Sequence, residues 1–267
     1  MQPWQIRLSS DGRHPMFPTE PQLRGAVRVL AHTLGREAAL FSIVDDHIHV
    51  VLHCERGMVT WRARSLCRVM RARAVTLIAP SYISPVQSRS HMQRLVGYTL
   101  NQTRHHDLPA HPALWTGSCF ADLVGARALP GLEPKLAQAL PRMKRWTLCK
   151  AVGLREQDLV PLEPGELRTL GAARILSAAA AVLAVGPNLE EAGRQRFLVR
   201  VLTAQVGASA NVPREELAWV LGCTRRHIQR LEQAPIQETL LQMVCVRLAI
   251  EQAVARQQMQ QRPPLML

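Results

Sequence analysis

The sequence predicts an α+β protein: a ferredoxin-like split β-α-β domain, an antiparallel sheet with helices on one face, followed by an all-α domain. Three observations predict it. Four short strand-like segments, bounded by turn residues and prolines, lie before residue 90. Helical-period segments fall between them, giving the order β-α-β-β-α-β and then one more helix. After Gly153 the strand pattern stops and helical spacing takes over.

The elements follow in order. Trp4 to Ser9 reads as a strand, and Asp11-Gly12 as a turn. Thr19 is placed to cap a helix with Leu23, Val27, Leu30 and Leu34 on one face, and Gly35 to end it. Ala38 to Val44 and His47 to His53 form a hairpin around Asp45-Asp46. Thr60 to Ala74 reads as a helix, and Ser81 to Val86 as an edge strand marked by Pro80 and Pro85. Ser90 is expected to cap a helix running to about His105. Domains are expected at 1–120 and 153–267, joined by a helical connector over 121–152 that is broken by Pro130, Pro134 and Pro141.

Of 267 residues, 47% are hydrophobic and 20% charged, which suits packed domains and excludes global disorder. The formal net charge of +13 points to a polyanionic partner, nucleic acid first. The six cysteines make no Cys-x-x-Cys pair, which argues against a zinc or disulfide framework. The N-terminus has no signal-peptide pattern. The longest apolar run, Ile175 to Val185, is too short for a bilayer, so the expectation is a cytoplasmic protein with no membrane partner.

Two features carry chemistry. His47 and His49 alternate with Ile48 on a strand, so both imidazoles face one way and can share a divalent metal. With 10 histidines in the chain, that spacing alone is common. Tyr98 and Gln102 lie four apart on the last helix of the first domain, with Arg94 one turn earlier. Leu95 and Leu100 are left for the core.

Together these segments resemble the HUH single-tyrosine transposases, in particular the REP-associated tyrosine transposases. The residues are Asp46-His47-Ile48-His49-Val50-Val51-Leu52, similar to the family's histidine strand, and Tyr98-Thr99-Leu100-Asn101-Gln102, similar to its tyrosine helix. Ser10-Asp11-Gly12-Arg13 resembles the turn after the family's first strand, and Trp115-Thr116-Gly117-Ser118 its segment after the tyrosine helix. The resemblance implies that His47, His49 and Gln102 ligate Mg2+ or Mn2+, and that Tyr98 is the nucleophile. It also implies single-stranded or hairpin DNA as substrate, a 5′-phosphotyrosine intermediate, and either a monomer or a homodimer. A DNA-binding regulator that keeps the fold without the activity is the alternative.

Arg13, Arg68, Arg94 and Arg104 are the candidate DNA contacts of the first domain, within a wider basic set of Arg62, Arg64, Arg71, Arg73 and Arg89. Aromatic residues are scarce at 4%, which favours reading of backbone and shape over base stacking. In the second domain, residues 214–232 resemble a helix-turn-helix. Ala218 is the small crossing residue, Gly222 the turn, Thr224 the cap and Ile228 the packing residue. That leaves Arg225, Arg226, His227, Gln229 and Arg230 to contact duplex DNA.

Overall fold

The structure is a computed structural model that describes residues 2–132, 140, 143–189 and 193–261. Pro134 and Pro141, two of the expected connector breaks, lie outside these residues. The chain forms two compact units. One holds the residues up to Val124 together with Leu129–Gly153, and the other holds Gly125–Ala128 and Leu154 onward. Most of the expected connector thus falls within the first unit.

The first unit contains β1 (Gln2–Ser9), α1 (Glu20–Leu34), β2 (Ala38–Ile43), β3 (His47–Cys54), α2 (Arg56–Arg71), β4 (Tyr82–Pro85) and α3 (Arg89–Leu100). The short α4 (Gln102–His105), α5 (Phe120–Leu123) and α6 (Arg145–Ala151) follow. The four strands form an antiparallel sheet in the order β2-β3-β1-β4. Local chemistry sets the boundaries. Thr19 and Gln22 exchange the two bonds of a capping box at the start of α1. Gly35, at φ +52°, ends that helix where a side chain would be strained. β4 is a sheet edge, where Pro85 costs no ladder bond.

Three expectations are corrected. Over β2 and β3 the sheet is covered on both faces, not one, because β2 is buried at every residue and β3 at all but His53. Ile6, Leu8, Ile48, Val50 and Leu52 are fully buried on the face under α1 and α2. The other face, which carries the histidines, is covered over β2 and β3 by α3 and α4. The cap of α3 is Ser88, whose hydroxyl accepts from the His91 amide at 3.1 Å, and not Ser90. The helix expected to reach His105 is interrupted at Asn101. There the Asn101 side chain donates to the carbonyls of Gly97, at 3.0 Å, and of Ala151.

Residues after the tyrosine helix close the β2 edge. The Ile43 amide donates to the Gly117 carbonyl at 2.9 Å, the Cys119 amide to Phe41 at 3.1 Å, and the Trp115 indole to the Ile43 carbonyl at 2.7 Å. Gly117 lies so close that a Cβ there would stand 2.1 Å from the Ile43 oxygen.

The second unit is all-helical: α7 (Pro164–Val182), α8 (Arg194–Ser209), α9 (Arg214–Leu221), α10 (Arg225–Glu232) and α11 (Glu238–Gln260). Its core is the Ala-rich half of α7 packed with Val199, Leu202, Leu217, Ile228, Val244 and Leu248. Gly171, at φ +78°, kinks α7, and the Glu216 carboxylate accepts from the Ala172 amide at 2.6 Å to restart it. Between α9 and α10, Gly222 sits in the left-handed region, and the Thr224 hydroxyl accepts from the His227 amide at 3.3 Å. No helix among the described residues is long and apolar enough to cross a membrane.

Candidate active site

The site is built on β3, an inner strand paired with β2 and β1. Asp45-Asp46 turns the chain into it, and the segment after β1 clamps that turn. The Ser10 amide donates to the Asp46 carbonyl, and the Met16 amide to Asp45, each at 2.7 Å. His47 and His49 then project from one face, with ring centroids 4.5 Å apart and planes perpendicular. Both are buried.

The interruption at Asn101 has a direct consequence. A continuous helix would leave Gln102 beside Tyr98 and Arg94 on the exposed side. The break tips Gln102 inward instead, to 1% exposure. Its carboxamide oxygen faces His47 Nε2 at 3.0 Å, and its nitrogen donates to the Tyr98 carbonyl at 3.0 Å. Tyr98 stays 41% exposed, with its ring edge-on to His49 at 5.2 Å in the same chain. The His105 ring also lies 5.2 Å from that of Tyr98, tilted against it by 36°. His47, His49, Gln102 and Tyr98 therefore come together.

Two residues that sequence reasoning passed over complete the cluster. Asp46 Oδ1 lies 2.6 Å from His47 Nδ1, and the His106 ring lies 4.6 Å from that of His47. Asp46, His47 and His106 offer ligand atoms within 4.8 Å of one another, a spacing that suits a divalent cation. Asp46 was visible as the residue before the histidine strand. Nothing in the sequence marked His106, because the helix break alone brings it round.

Burial governs the electrostatics. Desolvation pushes His49 down to about 3, aided by the charges of His47 and Arg7, so its imidazole is neutral. Desolvation also lowers His106, with His47 adding to it. Burial raises the Asp46 carboxyl, but the hydrogen bond and charge of His47 outweigh it and leave Asp46 below its usual value. Both ring nitrogens of His49 are buried without a hydrogen-bond partner. An orphaned buried polar group costs about 1–3 kcal/mol. A neutral imidazole with a free lone pair beside a second histidine and a carboxamide oxygen is a donor set that fits a divalent cation.

The basic residues divide. Arg94 is exposed one turn before Tyr98, and Arg13 is exposed after β1. Arg104 donates to the Val152 carbonyl at 3.3 Å. Arg62, Arg64, Arg68, Arg71 and Arg73 do not lie near the histidines as expected, because they belong to α2 and its C-terminal end, under the opposite face of the sheet. Of these, Arg62 pairs with Glu37 and Arg71 donates to the Ile78 carbonyl, while Arg64 and Arg68 line an open cleft of about 550 Å³. In the second unit, Arg226, Gln229 and Arg230 are exposed on one side of α10. His227 is half-buried, and Arg225 pairs with Glu215 at 2.9 Å.

No known family and no curated protein matches the chain. One solved structure, that of a REP-associated tyrosine transposase bound to a REP hairpin, is similar to it with a TM-score of 0.38 and 16% sequence identity, over 50% of this chain and 82% of that one.

Proposed function

We propose that the chain is a metal-dependent single-stranded DNA endonuclease and strand transferase with Tyr98 as nucleophile. One observation carries the reading: the exposed Tyr98 ring lies against His49, a buried neutral imidazole with both nitrogens unpartnered, in the same chain. The sheet order β2-β3-β1-β4 supports a ferredoxin-like split β-α-β frame for this site.

His47, His49 and Gln102 would hold the cation, Mg2+ or Mn2+ by the hardness of the phosphate oxygens it must also meet. When bound, it would neutralise charge developing on the scissile phosphate. Asp46 holds His47 by accepting from its Nδ1–H, which turns Nε2 toward Gln102. Gln102 ties the ligand set to the tyrosine helix through the Tyr98 carbonyl. Tyr98 Oη attacks phosphorus and loses its proton to solvent. The P–O3′ bond breaks, the 3′ oxygen takes up a proton, and a 5′-phosphotyrosine remains. Attack by a 3′-hydroxyl reverses the step and joins strands. With Tyr98 beside its own chain's histidines, this chemistry needs no second subunit.

Arg13, Arg94 and Arg104 are the proposed backbone contacts on this unit, with Arg68 on its opposite side. α9 and α10 are read as a helix-turn-helix, with Arg226, Gln229 and Arg230 reaching duplex DNA and Arg225 and His227 supporting them. A 3′-labelled single-stranded oligonucleotide tests the reading. With Mn2+ the label should become covalently bound to protein, and chelation or Tyr98→Phe should abolish this. No adduct with either cation would overturn the reading in favour of a DNA-binding regulator.

A further inference from the structure

The histidine face continues beyond the part that α3 and α4 cover. Register fixes what stands there. Ser42 on β2 pairs with His49, His49 with Arg7 on β1, and Arg7 with Tyr82 on β4. Directly paired residues share a face, so Ser42, His49, Arg7 and Tyr82 form one row across the sheet. Two strand spacings, about 10 Å, separate the His49 end from the Tyr82 end. The row changes character along its length. Ser42 and His49 are buried, Arg7 is exposed, and Tyr82 is 60% exposed. The next row of the same face continues the opening with half-buried Gln5 and Ser84.

Arg7 has no acidic partner among the described residues. Its guanidinium stands 6.0 Å over the Tyr82 ring, and its charge is felt at His49. A planar cation with five donors fits a phosphate, and an exposed phenol ring on a rigid strand fits a base. Tyr82 is half of the chain's tyrosine complement, placed on an edge strand where burial gives it nothing.

We propose that Arg7 and Tyr82 form a nucleotide subsite on the open half of the histidine face, for the residue flanking the bond that Tyr98 attacks. Arg7 pairs with a backbone phosphate, and Tyr82 stacks the adjoining base. The subsite rests on the nickase reading and adds to it where the single strand runs: from the histidines across β1 to β4, rather than along the arginines of α2. The stacking platform also sets a preference for unpaired bases, since a paired base cannot lie flat on the ring.

The test uses the full chain, a fluorescently labelled oligothymidylate and chelator to prevent cleavage, with anisotropy read over a salt series. Thermal melting checks that each variant is folded. R7Q should weaken binding about tenfold and reduce the salt slope by about 0.7, the value for one single-strand phosphate. Y82S should weaken binding about tenfold, and Y82F should bind within about twofold of the unaltered chain. R56Q, at the exposed start of α2, should leave this strand's affinity unchanged, and R68Q should cost less than R7Q. Folded R7Q and Y82S proteins that bind like the unaltered chain would overturn the subsite. So would R68Q costing more than R7Q. The covalent adduct separates this from the wider reading: adduct formation at equal oligonucleotide half-saturation in R7Q, Y82S and the unaltered chain overturns the subsite alone. An unaltered chain that neither binds the strand nor forms adduct overturns both.

Discussion

The two units treat buried polarity in opposite ways. In the second, the buried polar side chains are partnered: Thr203 donates to Val199, Asp158 pairs with Arg155, and Glu251 with Arg174 and Arg247. Its orphaned buried side-chain atom, among the described residues, is Arg200 Nε. In the first, His49 and the hydroxyls of Ser10, Ser42 and Thr103 are buried without partners, and Ser42 and His49 are neighbours on one sheet face. A core that only has to be stable satisfies its polar groups. A core that keeps unsatisfied ones facing a tyrosine is holding them for something else.

That contrast can be broken experimentally, and the largest effect should come from His49. His49→Leu, close in volume, removes two orphaned nitrogens. It should cut adduct formation at least about 100-fold while raising the melting temperature by a few degrees, measured by calorimetry. A variant that lost both activity and stability would show that His49 is a satisfied structural residue. The matching change in the second unit, Thr203→Val, deletes a made bond and should lower stability slightly, by about 0.5–1 kcal/mol in denaturant unfolding.

Close packing offers the next comparison. Gly117→Ala sets a Cβ against the Ile43 backbone oxygen, which cannot move without opening the β2 edge, and should cost about 2–4 kcal/mol in urea unfolding. Gly207→Ala meets only the Leu217 side chain, at 2.6 Å. That chain can change rotamer, and alanine favours the helix, so the cost should stay below about 1.5 kcal/mol. Thr224→Ala, which removes the cap of α10, should cost about 1 kcal/mol.

Sequence reasoning reached the elements whose causes are local. The cap at Thr19, the stop at Gly35 and the hairpin before His47 all follow from neighbours within a few residues. So does the common face of His47 and His49. It missed what distant groups impose. The interruption at Asn101 depends on a carbonyl fifty residues away at Ala151, and that interruption buries Gln102 and brings His106 to Asp46. Cross-strand register is equally non-local, which is why Arg7 went unnoticed beside His49. The α2 arginines were read as neighbours of the site because they are close to it in sequence. The sheet lies between them and the histidines.

The central claim is that one particular tyrosine forms the bond to DNA, and the chain has only Tyr82 and Tyr98 to choose between. Trypsin digestion of the adduct, followed by mass spectrometry, reads the answer directly. The account predicts nucleotide on Tyr98, in the peptide spanning residues 95–104. Nucleotide on Tyr82, or on any other residue, would contradict it.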